Sequence, residues 1–320
     1  MRSIDARAVE AATPFPKLID ALAEAFRKPP AAPLRTQIQM QSAAGSSNTL
    51  LVMPCSQPGG RFGLKLATVS PENAARSLPT VQATYVLGTT DTGSFDAIMD
   101  GTQLTKRRTA ATSALASRLL SREDSQRLLL VGAGSMAGPL VLAHSAVRPI
   151  AEIRIWNRSP QRAAQLCAAL QRDHGLSADV ANDREEAAGW ADIISSATTS
   201  ADPLILGRYL RPGQHIDLVG AYTAAMRETD DEAIRKSRVF VDDRAAALSE
   251  AGDLLQPLRS GVITEEHILG DMSQLVRGEV RGRKSRDDIT LFKSVGLALE
   301  DLAAAELVLR ATTSVAGEGA

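Results

Sequence analysis

The sequence predicts an α/β protein: a Rossmann-type doubly wound sheet accompanied by a second domain of α+β character. Three observations predict it. The run Leu128–Val131 is continuously apolar and stops at Gly132-Ala133-Gly134-Ser135, the pattern of a strand buried on both faces and ended by a tight turn. From Ser125 onward, short apolar strands alternate with helical stretches, and polar residues stand where the strands end. Ahead of this region, Arg35 to Met99 reads as strands separated by turn-forming clusters.

The composition excludes several classes. The 320 residues leave room for one large or two ordinary domains, and the 44% hydrophobic and 23% charged fractions are those of a globular protein. A net charge of −1 and an aromatic content of 3% argue against a dedicated nucleic-acid binder. Cys55 and Cys167 form neither a disulfide framework nor a CxxC pair, which suits a reducing cytoplasm. No secretion signal or long apolar span is visible, so no membrane association is expected. The histidines, at 144, 174, 215 and 267, lack ligand spacing, and no metal is expected.

Residues 5–28 carry Leu18, Ile19, Leu22 and Phe26 at helical spacing, with Pro14 and Pro16 marking a break before the longer helix. Strands follow at Thr36–Gln41, Thr49–Met53 and Phe62–Val69, with turns at 45–48 and 58–60. Val81–Thr89 and Ser94–Met99 make a further strand pair, closed by Asp100-Gly101. Thr105 reads as the N-cap of a helix to Leu120, which puts Lys106, Arg107 and Arg108 in its first turn. Cations are disfavoured at that positive pole, so the cluster makes most sense if an anion binds there; the plainer reading is a solvated basic turn. Beyond Asn157 come a helix over 160–170, Ala178–Val180, a helix near 184–189, and the strand Ile193–Ala197 ending in Thr198-Thr199. Then follow the strand His215–Val219 and a short final strand, Val239–Val241. Residues 294–309 read as a buried helix able to return to the first domain, and 312–320 as a frayed end. The domain division is therefore 1–120 plus 294–320, and 121–293.

Gly132-x-Gly134-x-x-Ala137 has the dinucleotide-binding spacing. Gly132 permits the turn, Gly134 lets backbone approach a pyrophosphate, and Ala137 lets the helix sit close to the strand. Ser135 and Met136 lead into that helix, whose unpaired N–H groups favour phosphate. The next strand, Glu152–Trp156, ends in Asn157-Arg158-Ser159, where such a fold meets the adenosine ribose. An acid there would repel a 2′-phosphate, and none is present. Arg158 can instead pair with that phosphate, with Asn157 and Ser159 bonding to it, so NADP(H) is favoured and NAD(H) remains possible. The alternative for Arg158 is a solvated loop charge.

Several ordered stretches carry a likeness. They are Leu51-Val52-Met53-Pro54, Gly63-Leu64-Lys65-Leu66, Pro71-Glu72-Asn73, Leu78-Pro79-Thr80, Met99-Asp100-Gly101 and Leu104 to Ala111. Downstream they continue with the glycine turn, Trp156-Asn157-Arg158, Arg227-Glu228 and Leu291 to Gly296. On these the chain resembles the ornithine cyclodeaminase/mu-crystallin family over nearly its whole length. The resemblance implies a Rossmann domain and a substrate and dimerisation domain built from the N-terminal part and the C-terminal helix. It also implies a homodimer through that second domain, and reactions on small amino or imino acids with a nicotinamide cofactor. Lys65 matches the family's active-site lysine, Arg108 the arginine that grips the substrate carboxylate, and Arg35 a second carboxylate contact. Thr80, Thr109, Thr198, Val219 and Ser294 match cofactor-contacting positions, and Val295 a substrate-side one. Thr199 follows Thr198 at the same strand end. Placed among Leu64, Leu66 and Val69, Lys65 is expected to be partly desolvated, which lowers an amine's pKa and allows proton exchange near neutral pH.

One departure bears on the reaction. Where ornithine cyclodeaminases carry an aspartate that assists deamination, this chain has Tyr222, in Val219-Gly220-Ala221-Tyr222. A phenol with a pKa of about 10 is no ready base at neutral pH. The sequence is nearer the mu-crystallin and alanine dehydrogenase branches here. The expected function is an NAD(P)-dependent oxidoreductase of the ketimine reductase or amino-acid dehydrogenase type. The alternatives are ornithine cyclodeamination, giving proline and ammonia, and a non-catalytic NADP- and ligand-binding protein.

Overall fold

A computed structural model describes residues 1–41, 45, 47–76 and 78–317. The chain divides into two compact units, Met1–Thr109 with Leu297–Ala320, and Ala110–Gly296.

The first unit opens with β1 (Arg2–Ile4), α1 (Ala6–Ala12) and α2 (Phe15–Arg27). Asp5 caps α1 by accepting the Ala8 N–H at 2.8 Å; Pro14 stands in the expected break between the two helices, while Pro16 falls inside the first turn of α2. Then come β2 (Thr36–Gln41), β3 (Ser47–Ser56), β4 (Arg61–Val69), β5 (Val81–Thr89) and β6 (Phe95–Asp100). They form one sheet in the order β1-β6-β5-β4-β3-β2, antiparallel except for the β1–β6 pair. Ser46, in the expected turn before Asn48, lies outside the described residues. Strand alternation gives the sheet two faces. Met53, Cys55, Gly63, Ala67, Tyr85 and Leu87 are buried on one, which the C-terminal helix (Ala298–Gly317) covers, α2 packing in turn against that helix. Ile38 and Leu66 stand on the other, 46% and 38% exposed.

α3 (Gly101–Leu120) begins a full turn earlier than the Thr105 cap would place it. Asp100 is the capping residue, its Oδ1 accepting the Gln103 N–H at 2.6 Å, while the Thr105 hydroxyl donates back to the Gly101 carbonyl at 2.7 Å. The cations at 106–108 therefore lie beyond the first turn, and the helix pole does not face them. Arg107 instead stacks 3.7 Å over Phe15 and donates to the Thr13 carbonyl.

The second unit is a parallel sheet of eight strands: β7 (Arg127–Val131), β8 (Glu152–Trp156), β9 (Asp179–Val180), β10 (Ile193–Ser196), β11 (His215–Leu218), β12 (Ser237–Val241), β13 (Ile268–Asp271) and β14 (Ile289–Lys293). The order β13-β12-β14-β11-β10-β7-β8-β9 contains the doubly wound arrangement, with β7 central and β14 sixth. β12 is thus not the final strand. Both later strands are short: β14 is buried along its whole length and has no alternation to betray it, and β13 offers only four residues at the sheet edge. The helix expected from Ser294 starts at Ala298 and continues through Gly317, past the point where fraying was expected; residues 318–320 lie outside the described residues.

Candidate active site

Lys65 sits at the centre of a cross-strand row, Met53–Lys65–Tyr85–Met99, on the covered face of the first unit's sheet. Leu64 and Leu66, expected to surround it, point the other way because side chains alternate. Gly63, two residues back, leaves the space that the Tyr85 hydroxyl occupies, since a Cβ there would run into it. Lys65 is 2% exposed. The helix that covers it carries Glu300 and Asp301 in its first turn, both fully buried. Lys65 Nζ lies 2.7 Å from Asp301 Oδ2. Arg108, from α3, donates through Nε to Asp301 Oδ1 at 2.9 Å and through Nη1 to Glu300 Oε2 at 2.6 Å.

Two buried cations thus face two buried carboxylates, and removing any one would leave an uncompensated charge. Burial pulls the Lys65 ammonium down to about 8; the Arg108 charge adds to this, Asp301 opposes it, and Arg35 pushes down again. Burial also works against the Arg108 guanidinium, but Asp301 and Glu300 outweigh it and hold the charge firmly in place. Arg35 is half-buried just ahead of β2. Lys65, Arg108 and Arg35 are therefore brought together, and the acids, rather than a helix pole, orient Arg108. Glu300 and Asp301 were not singled out from sequence. The signal was there: adjacent acids inside an otherwise apolar helix need buried cations to face. Thr109 is buried next to Arg108, while Thr80 is exposed ahead of β5, its carbonyl accepting the Ser70 N–H at 2.8 Å.

In the second unit the glycine turn joins β7 to α4 (Ala137–Ser145). Gly132 has φ of +107°, and a Cβ on it would stand 2.9 Å from the Ala197 carbonyl oxygen, so only glycine fits. Gly134 is exposed, with no protein atom within 4 Å of where its Cβ would be, leaving open approach to the backbone. Ser135 is exposed, Met136 precedes α4, and Ala137 is 1% exposed against the sheet. This cradle fits a dinucleotide pyrophosphate. Asn157 proves to be a brace: its Oδ1 accepts the Ala133 N–H at 3.1 Å and its Nδ2 donates to the Ser159 carbonyl at 3.0 Å. The Ser159 hydroxyl donates to Gln161 Oε1 at 3.0 Å. Arg158 is exposed, and has no hydrogen-bond or ion-pair partner among the described residues.

Buried acids hold the other strand ends. Glu228 Oε1 accepts the Thr198 N–H at 2.8 Å and its hydroxyl at 2.9 Å. Asp242 Oδ2 accepts the Ser294 hydroxyl at 3.0 Å and the N–H groups of Val295 and Gly296 at 2.7 Å each. Thr199 is exposed, and the Val219 N–H donates to the Ser196 carbonyl at 2.8 Å. Tyr222 is half-buried after Ala221, whose φ of +49° is the one positive value at a non-glycine among the described residues. Also among the described residues, no group of three or more His, Cys, Asp or Glu is gathered as a metal site, and no helix is long and apolar enough to cross a membrane.

The strand order and the glycine turn are those of a dinucleotide-binding fold. The family model described as ornithine cyclodeaminase/mu-crystallin matches residues 3–315. The chain is 46% identical over 252 residues to a Delta(1)-pyrroline-2-carboxylate reductase of Paracoccus denitrificans, covering 78% of this chain and 79% of that one. It superposes on the Thermococcus litoralis Delta(1)-pyrroline-2-carboxylate reductase, solved with NADH and L-proline, with a TM-score of 0.94 at 32% identity, covering 99% of this chain and 98% of that one. An archaeal alanine dehydrogenase dimer with bound NAD gives a TM-score of 0.89 at 29% identity, covering 98% and 96%. The chain belongs to the ornithine cyclodeaminase/mu-crystallin family. It is an NAD(P)-dependent oxidoreductase of small amino or imino acids.

Proposed function

We propose that the chain reduces a small cyclic imino acid of the Δ1-pyrroline-2-carboxylate kind to the corresponding amino acid. The first unit takes the substrate and the second the cofactor. The observation that carries this reading is the buried Lys65–Asp301 pair beside Arg108. Arg108 and Arg35 hold the substrate carboxylate, a pairing in which charge-assisted bonds to a fork fix orientation. Lys65, with its amine near 8, gives a proton to the imine nitrogen, and Asp301 keeps the ammonium charged and aimed until it does. The bound reduced nicotinamide supplies the hydride to the imine carbon. Bond and charge then balance: C=N becomes CH–NH, one hydride and one proton having been added. Val295 and Tyr222 belong to the substrate side of the second unit. Tyr222 is a hydrogen-bond donor and not a base, which favours net reduction over deamination.

NADPH is the preferred cofactor in this reading, because the adenosine end of β8 offers the exposed Arg158 and no acid. Asn157 is occupied as a brace, so the 2′-phosphate falls to Arg158 and Ser159. The soluble assembly is a homodimer, and the reaction is placed in the cytoplasm. The test is to supply pyrroline-2-carboxylate with NADPH or NADH and follow nicotinamide absorbance and ammonia together. Cofactor oxidation matched by proline and without ammonia is the expected result. Ammonia release from ornithine with NAD(+) and no net cofactor turnover would identify a cyclodeaminase instead.

A further inference from the structure

Arg227-Glu228 and Lys293 stand in the stretches that carry the family likeness, yet the proposed chemistry gives them no part. All the groups concerned lie in the second unit. Glu228, Asp253 and Lys293 are each 0% exposed. Besides its two bonds from Thr198, Glu228 Oε1 accepts the Ser196 hydroxyl at 2.6 Å. Gly220 is pressed against the same carboxyl, since a Cβ there would stand 2.6 Å from Glu228 Oε1. The Lys293 ammonium donates to the Gly220 carbonyl and lies 3.4 Å from Asp253 Oδ2. Asp253 Oδ1 in turn accepts the backbone N–H groups of Glu228 at 2.8 Å and Thr229 at 2.9 Å. The chain of bonds Thr198–Glu228–Asp253–Lys293–Gly220 ends with Gly220 packed back against the Thr198 carbonyl oxygen and the Glu228 carboxyl.

It ties together the carboxyl ends of β10, β11 and β14, the fourth, fifth and sixth strands of the doubly wound order. In such sheets the dinucleotide crosses the carboxyl edge at the switch point. The glycine turn and β8 take the adenosine half, so these three ends are left for the nicotinamide half. Apolar residues would fill the same volume at lower cost than three buried charged groups. They could not, however, fix three separate backbone turns in mutual register. Burial lifts the Glu228 carboxyl above the usual carboxylate range, with Lys293 opposing.

We propose that Glu228, Asp253 and Lys293 are positioning residues for the nicotinamide half of the cofactor, holding Thr198 and Gly220 where that half must be met.

The test measures dissociation constants calorimetrically for NADH and for ADP-ribose, which is NADH without its nicotinamide. Glu228→Ala and Lys293→Met are expected to weaken NADH about tenfold while ADP-ribose stays within about twofold. Glu228→Gln keeps an acceptor oxygen for the three bonds and is expected to restore NADH binding to within about threefold. If the first two variants fail to fold, Thr198→Val removes one bond from a half-exposed turn and is expected to show the same selective loss at about threefold. Equal weakening of NADH and ADP-ribose would reduce the cluster to general stability, and unchanged NADH binding in the variants would end the proposal.

Discussion

Lys65 owes its chemistry to its surroundings. A lysine in water holds its proton to a pH of about 10.4 and is a weak acid toward an imine at neutral pH. Burial brings this one to about 8, and Asp301 stops it from falling further. In the proposed reaction the protonated amine is the active form for reduction. The reductive kcat/KM should therefore be level below pH 8 and fall above it, while amino-acid oxidation rises through the same range. Asp301→Asn removes the group that raises the amine, so the alkaline limb should move to lower pH; an unmoved limb would take the titration away from Lys65. Lys65→Met should lower kcat at least about a hundredfold, the ordinary contribution of a positioned acid. Its NADPH affinity, read by calorimetry, should not change. Arg158→Ala should weaken NADPH by about tenfold and NADH little, because one charge-assisted phosphate bond is lost. Equal weakening would count against the 2′-phosphate assignment.

Among the elements, α3 shows what local reading catches and misses. Helical character to Leu120 was legible from residue spacing, but Thr105 looked like a cap because threonine so often is one. Asp100 and Gly101 decide the start instead: Asp100 caps, and Gly101 approaches the backbone of Ala83 and Thr84, where a Cβ would stand 2.8 Å from their atoms. Gly101→Ala should accordingly destabilise by about 1–3 kcal/mol, as overpacking does, and lower the melting temperature without changing the secondary-structure content. A melting point equal to that of the parent would show that the strand beside α3 gives way freely. In the first unit Thr36–Gln41 and Val81–Thr89 were legible residue for residue and two more strands to within one residue, because half-buried strands alternate, whereas β3 extends to Ser47 and Ser56 beyond the expected Thr49–Met53 and β1 was not foreseen. β14 was not legible, because a strand covered on both faces shows no alternation, and β13 was not, because its four residues at the sheet edge are too few to show a period.

At the scale of the molecule, one face of the first unit's sheet is covered by helices and the other leaves Ile38 and Leu66 open, with Leu50, Val52 and Leu64 on the same side only half-covered. A row of apolar side chains on an open sheet face suits burial against another protein surface. A second copy of the chain is the occupant we propose, as the homodimer of the proposed function requires. Replacing both Ile38 and Leu66 with lysine should halve the mass measured by light scattering. An unchanged mass would place the dimer contact elsewhere.

The sequence by itself determined the class of protein. The glycine turn, the missing acid after β8, the lysine in β4 and the tyrosine at 222 are local facts, each a residue type at a spacing that one stretch of chain can specify. Only tertiary structure decided what those residues do. Glu300 and Asp301 lie more than 190 positions from Arg108 and more than 230 from Lys65 in the chain. The charges that set the lysine's proton affinity and fix the arginine's orientation meet them only when the last helix folds back over the sheet. Electrostatic interaction depends on distance and burial, and neither exists in a linear sequence.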